Sequence, residues 1–397
     1  MNIFEKAYCR SYQFILNKLA MPFVKFPKQT LFEGNGSVFK IPTFLKEKGF
    51  KRPFVIVSNS VSKTQHYIDF IKQLEMNSMD FVEFKEVKQN PEFEAILKAE
   101  QVAQNSKIDS IIAIGGGSVI DTAKAVGALL SNKNATLEKL RGLLKVKKRF
   151  SMLIAIPTTA GSGSEATIAS VITNKDRDDK FAINSPKLLP HVVVLDDEFL
   201  RSLPKNVIAN CGMDALTHSL EAYLGNALTK RTKEAALESI SLINSSLLEF
   251  YHDSKNDKAR NNMLKASYLA GIAFTRSYVG YVHAISHSLS GKYNLPHGYA
   301  NAVILPHLID EYQKKSSRKL LILAKRIKLN KGKDFIEWVK GLNKEMSIPE
   351  TFNGVIKEED IPFLAKHSAK EANPLYPVPL ELSCRELEKI IKELDPK

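Results

Sequence analysis

The chain has 397 residues, 44% of them hydrophobic and 25% charged, and its 57 Lys and Arg exceed its 43 Asp and Glu for a net charge of +14. These are ordinary globular values that exclude a disordered or collagen-like chain, and the length calls for two or three domains rather than one core. Cys9, Cys211 and Cys384 are too few and too widely separated for a disulfide framework or a zinc ribbon. The basic runs "KVKKR" (145–149) and "KKSSRK" (314–319) lack interleaved aromatics, so the surplus reads as a solvated surface and no nucleic-acid partner is expected.

The first thirty residues scatter Glu5, Lys6, Arg10 and Lys18 among apolar positions, without the uninterrupted apolar stretch of a signal peptide. The longest apolar run elsewhere, "IIAIGGGSVI", is about half the ~20 residues needed to span a bilayer. A soluble cytoplasmic protein with no membrane partner is the expectation. "RPFVIVSNS" (52–60), "MDFVEFKEV" (79–87), "IDSIIAIGGGS" (108–118) and "SMLIAIPTTAGSG" (151–163) read as strands separated by amphipathic stretches. That alternation predicts βαβ units and a mostly parallel sheet. "TIASVIT" and "KFAIN", joined by "NKDRDD", predict an appended hairpin. From about Pro204 helical spacing takes over, so a boundary falls between Pro190 and Pro204, with an α/β domain over 1–198 and an all-α domain over 199–397.

"AIGGGSVIDTAKAVG" follows a strand and opens a helix. Gly115, Gly116 and Gly117 let backbone N–H groups approach an anion beside the positive end of the helix dipole. Ser118 is expected as the N-cap, in capping-box-like spacing with Asp121. The spacing is not GxGxxG, and taken alone it is equally a capped turn. The second loop, "IPTTAGSGSEAT", adds the hydroxyls of Thr158, Thr159, Ser162 and Ser164 at another strand end. Two such loops at one sheet edge suit a dinucleotide.

"GMDALTHSLEAY" puts Asp214 and His218 four apart on one helix face, and "GYVHAISHSLSGKYNLPHG" repeats the spacing with His283 and His287 before His297 in a turn. An isolated pair of this kind is usually a surface pair, and a lone histidine is usually core. One carboxylate and several imidazoles together, without a thiolate, describe a divalent metal site open to a substrate oxygen. Such an ion polarises an alcohol or carbonyl oxygen while nicotinamide carries the hydride. Cys211, three residues before Asp214, reads as packing.

"GGGSVIDTAK", "IPTTAGSGSE", "GMDALTHSLEAY", "GYVHAISH" and "PHGYANAVILP" together resemble, in order and from about Pro27 onward, the iron-containing (group III) alcohol dehydrogenases. The resemblance implies a Rossmann-like α/β domain, an all-helical domain and an active site in the cleft between them. It implies Asp214, His218, His283 and His297 as ligands of Fe²⁺, or of Zn²⁺ as in some members, with His287 near the nicotinamide. It implies NAD(P) contacts from Asn59, Gly115, Gly116, Gly117, Ser118, Asp121, Thr158, Thr159, Ser162, Ser164 and Lys180, and a substrate pocket lined by Phe274, where a core aromatic is the competing reading. Small alcohols and aldehydes are the implied substrates, and a homodimer the implied assembly. Ser162 and Cys211 replace common threonines. Asn59 stands where NAD-preferring members often carry aspartate, which leaves NADP open. A glycerol-dehydrogenase-like or dehydroquinate-synthase-like relative, and more remotely a non-catalytic nucleic-acid-binding protein, are the alternatives.

Overall fold

The computed structural model describes residues 1, 3–21, 24–88, 91–174 and 179–396. The chain forms two compact units. One is α/β and comprises residues 25–203 and 254–268; the other is helical and comprises 1–24, 204–253 and 269–397. The division therefore lies at Leu203/Pro204 instead of a single cut after residue 198, and two segments fall out of sequence order. Residues 254–268 belong to the α/β unit because the buried Arg260 donates through Nε to Asp197 O at 3.1 Å and through Nη2 to Glu198 Oε2 at 3.3 Å. Residues 1–24 belong to the helical unit because Arg10 donates to Val378 O at 2.8 Å and Gln13 to Tyr376 O at 2.7 Å.

In the α/β unit the strands are β1 (Thr30–Glu33), β2 (Pro53–Val57), β3 (Val82–Phe84), β4 (Ser110–Gly115), β5 (Gly142–Leu143), β6 (Leu153–Pro157), β7 (Ala169–Asn174), β8 (Asp179–Asn184) and β9 (Val192–Leu195). Six make a parallel sheet in the order β1-β9-β6-β4-β2-β3. Every residue of β2, β4, β6 and β9 is buried, which is why these strands are continuous apolar runs rather than alternating ones. Register pairs Gly115 with Pro157, so β4 and β6 end side by side and release their loops at one edge. The expected hairpin forms as antiparallel β7 and β8, with β5 parallel to β8. Within its "NKDRDD" link, residues 175–178 lie outside the described residues.

All described strands lie in the α/β unit. The helical unit is built on Lys205–Leu224, Lys230–His252, Tyr281–Tyr293, His297–Arg326, Gly332–Glu345, Ile361–Ala372 and Cys384–Glu393. Lys205–Leu224 is buried over all of its last thirteen residues, so it is the central helix of this unit.

Candidate metal centre and glycine loops

At the carboxyl edge of the sheet, Gly116 caps the helix Gly117–Ser131 in extended conformation. Ser118 is thus inside the first helical turn and not the N-cap that its spacing predicts. Asp121 makes no capping box either, because its carboxylate is drawn to the neighbouring loop: Ser164 Oγ donates to it at 2.5 Å and Val171 N at 2.9 Å. A Cβ on Gly117 would come within 2.7 Å of Ser162 Oγ, so only glycine lets the two loops touch. Thr158 N donates to Gly115 O at 3.0 Å, which ties the two loops together where they leave the sheet.

Beneath the loops, Lys124 is fully buried. Its Nζ reaches Ser164 O at 2.7 Å, Thr167 Oγ1 at 2.9 Å and Ala169 O at 2.7 Å, with Asp121 Oδ1 at 3.8 Å. Burial pulls the ammonium down to about 8 and pushes the Asp121 carboxyl up, while each charge favours the other's. Asp121 and Ser164, expected as cofactor contacts, hold the loop in shape. Glu165 is buried as well, and burial pushes it up to about 7. Thr159 and Ser162 are partly exposed in the loop, and Asn59 stands exposed just beyond the end of β2, next to β4. Lys180 is exposed on β8, opposite Thr173, and close enough to favour the Asp121 anion.

In the helical unit, Asp214 and His218 come from the central helix, His283 from Tyr281–Tyr293, and His297 from the first position of His297–Arg326, where Pro296 is the cap. One ligand atom each of Asp214, His283 and His297 lies within 4.8 Å of the others. Asp214 Oδ1 is 3.8 Å from His283 Nε2 and 3.5 Å from His297 Nε2. His218 is outside that three-way set. Its Nδ1 lies 3.8 Å from Asp214 Oδ1, its ring is 4.4 Å from that of His283, and Phe274 stacks on it at 4.1 Å and 13°. The half-buried Phe274 therefore supports a ligand candidate directly. A Cβ on Gly298 would fall 2.2 Å from Asn210 O, so glycine is needed for His297 to sit this close to the central helix.

His283 is backed by Glu221, whose Oε2 lies 2.6 Å from Nδ1. Glu221 also accepts from Gly280 N and Val282 N, each at 2.7 Å. Burial pushes this carboxyl up to about 8, and the three N–H donors oppose that shift. Burial first, then the three neighbouring imidazoles, holds His283 well below the usual histidine value, so the ring is neutral. Neutral imidazole donating through Nδ1 leaves the Nε2 lone pair for a cation. His287 lies aside from the cluster, its ring parallel to that of His297 at 5.0 Å and its Nδ1 2.7 Å from Glu371 Oε1. Burial pushes Glu371 up, but His287, the hydrogen bonds it receives and His367 outweigh that, and the net shift is downward.

Sequence reading missed Glu221, Glu371 and Asn301. Asn301 Nδ2 donates to Asp214 Oδ1 at 2.8 Å and lies 3.2 Å from His297 Nε2. Glu221 and Asn301 did carry a signal. Glu221 follows His218 by three and Asn301 follows His297 by four, the spacings that share a helix face. Glu371, from a separate helix, carried none. A carboxylate oxygen and two imidazole nitrogens converging with no thiolate fit a divalent transition metal.

A parallel sheet with two interlocked glycine-and-hydroxyl loops, and a carboxylate–imidazole cluster backed by a buried carboxylate, mark a metal-dependent dinucleotide oxidoreductase. Family comparisons specify the kind. Residues 27–197 match the model for iron-containing alcohol dehydrogenase, and 208–394 match that for the C-terminal part of the Fe-containing alcohol dehydrogenase family. The chain belongs to this family. It is 34% identical over 346 residues to alcohol dehydrogenase 4 of Saccharomyces cerevisiae, covering 86% of this chain and 90% of the relative. Identity to the NAD-dependent methanol dehydrogenase of Bacillus methanolicus is 30% over 347 residues, 85% and 91% of the two chains. The solved alcohol dehydrogenase from Oenococcus oeni superposes with a TM-score of 0.89 at 30% identity, over 94% of this chain and all of that one. The chain is accordingly an oxidoreductase of the alcohol dehydrogenase and aldehyde reductase kind, in a family whose cofactors are iron and NAD(P).

Proposed function

We propose that this protein interconverts a small aliphatic alcohol and its aldehyde, holding Fe²⁺ through Asp214, His218, His283 and His297 and binding NAD(P) on the glycine loops. The observation that carries the reading is the convergence of Asp214, His283 and His297 within 4.8 Å, with Glu221 2.6 Å behind one imidazole. A bound divalent cation supplies Lewis acidity that lowers an alcohol's pKa, and nicotinamide exchanges hydride with the substrate carbon. The residues do the rest. Glu221 orients His283 and fixes its tautomer. Glu371 holds His287 through Nδ1, which leaves Nε2 to receive the alcohol proton and pass it to water. Backbone N–H groups around Gly115–Ser118 and the hydroxyls of Thr159 and Ser162 contact the pyrophosphate and ribose. Zinc outranks ferrous iron in intrinsic affinity, so cellular supply decides the ion. The reading includes a homodimer in the cytoplasm, with the α/β unit taking the dinucleotide and the helical unit the metal.

Two variants test it on protein purified anaerobically. His283→Ala should lose both metal and turnover, whereas His287→Ala should keep metal and lose about 10²-fold or more in kcat. Full metal content in the first variant, by elemental analysis, sinks the ligand assignment. Asn59 offers an amide where a carboxylate would repel a 2′-phosphate, so NAD is favoured only slightly. Asn59→Asp should raise the NAD-over-NADP ratio of kcat/KM by about tenfold. An unchanged ratio removes Asn59 from the ribose site.

A further inference from the structure

The segment "YPVPLE" (376–381) follows helix Ile361–Ala372 and cannot prolong it. Pro377 and Pro379 have no N–H to give and a fixed φ, so the stretch joins no helix or sheet ladder and its carbonyls must find donors elsewhere. Two other parts of the helical unit supply them. Gln13, buried on helix Ile3–Phe14, donates through Nε2 to Tyr376 O at 2.7 Å. Arg10, one turn earlier, donates to Val378 O at 2.8 Å and Pro379 O at 3.1 Å and pairs with Glu381. Asn226 gives its backbone N–H to Pro377 O at 2.7 Å and Nδ2 to Val378 O at 2.9 Å. An irregular segment is thereby held at four successive carbonyls. Helix Ile3–Phe14 precedes residue 27, where the family match begins, so these two donors come from a part of the chain that the match does not include.

What the segment carries toward the site is a phenol. Tyr376 is buried, and its hydroxyl donates to Glu371 Oε1 at 2.8 Å, the same oxygen that lies 2.7 Å from His287 Nδ1. Burial first, then the charge of Glu371, holds the phenol well above its usual value, so the hydroxyl keeps its proton and acts as a donor. Glu371 itself is only partly buried and stands in the last turn of its helix, so hydrogen bonds more than close packing decide where its carboxylate points. Two donors meeting on one oxygen fix it from two directions; with one, the carboxylate turns and takes the imidazole with it. We propose that Tyr376 is a positioning residue for proton transfer, braced by the N-terminal helix: Gln13 and Arg10 hold the segment, Tyr376 holds Glu371, and Glu371 aims Nε2 of His287. The proposal rests on the reading that His287 receives the alcohol proton. A group in that role has to be held within about 0.5 Å of its productive place, which is what a chain of fixed hydrogen bonds provides.

The test is a double-mutant cycle on the full-length, metal-loaded protein. Tyr376→Phe keeps the ring and removes only the donor, so kcat should fall about tenfold while KM and metal content stay at the parent values. Gln13→Leu takes the donor from Tyr376 O at the far end of the chain of bonds and should lower kcat about threefold. Repeated in a His287→Ala background, both losses should vanish, because the group they aim is gone. A residue that only stabilises the fold costs the same factor in both backgrounds, and that result overturns the proposal. A parent kcat in either single variant overturns it as well. His287→Ala at the parent kcat strikes the proton-transfer reading itself, and the brace falls with it.

Discussion

Glu221 does two jobs with one carboxylate. It fixes the ring of His283 and satisfies the amides of Gly280 and Val282 at the start of that helix. Glu221→Gln keeps the volume but leaves one of these three donors facing an amide N–H₂. Metal affinity should fall about 10–100-fold, the usual loss when a ligand's outer partner goes. Competition with a fluorescent chelator measures it, and an unchanged dissociation constant would show that His283 needs no orienting. At this scale the sequence pointed to side chains that converge, Asp214, His283 and His297, and was poor about what supports them. Asp214, His218, His283 and His297 stand out because carboxylate and imidazole at helical spacing are rare together. Glu221 hides in "HSLEAY", where a glutamate reads as a solvated face in spite of its helical spacing from His218, and its burial overturns that reading. Ser118 misled for a related reason: extended Gly116 already occupies the cap, two residues ahead of the serine, and the spacing of Ser118 and Asp121 does not reveal it.

Among the elements, β2, β4 and β6 were legible because strands covered on both faces must be apolar throughout. β1 and β9 were not, since "TLFE" is largely exposed and "VVVL" is too short to distinguish from a helical turn. The β6–β9 junction makes a pH prediction. His191, just before β9, donates its own N–H to Leu153 O at 2.8 Å and accepts Leu153 N–H on Nδ1 at 3.1 Å. Burial, then the charge of Arg149, pulls this imidazole down to about 4. The folded state therefore holds the neutral ring, while the unfolded chain takes up a proton near 6.5. Stability from this residue is complete above about 6.5 and drains away as pH falls toward 4, by about 2 kcal/mol once partial exposure is discounted. His191→Asn keeps an acceptor but cannot titrate, so its melting temperature should fall less than the parent's between pH 7 and pH 4.5. Parallel losses in both proteins would rule His191 out.

For the whole molecule, length called for two or three domains and gave no sign of how the segments interleave. Nothing in the local pattern of 254–268 announces that one buried arginine ties it to the α/β unit. The helical unit draws the carboxylate–imidazole cluster from three helices, so an ion bound there as proposed should act as a staple. Ferrous ion at about 100 times its dissociation constant should add about 2.7 kcal/mol, or roughly 5–10 °C in the melting of that unit. Calorimetry of chelator-treated protein with and without Fe²⁺ checks this, and the gain should vanish in His283→Ala. A gain that persists there would place the ion elsewhere. The width of the ion cage also has a definite source. Helix His297–Arg326 begins hard against the Asn210 carbonyl because residue 298 ends in hydrogen rather than carbon. A single methyl at that spot would lever His297 away from Asp214 and dilate the cage, so the ionic radius it accepts is gauged by an atom the residue lacks.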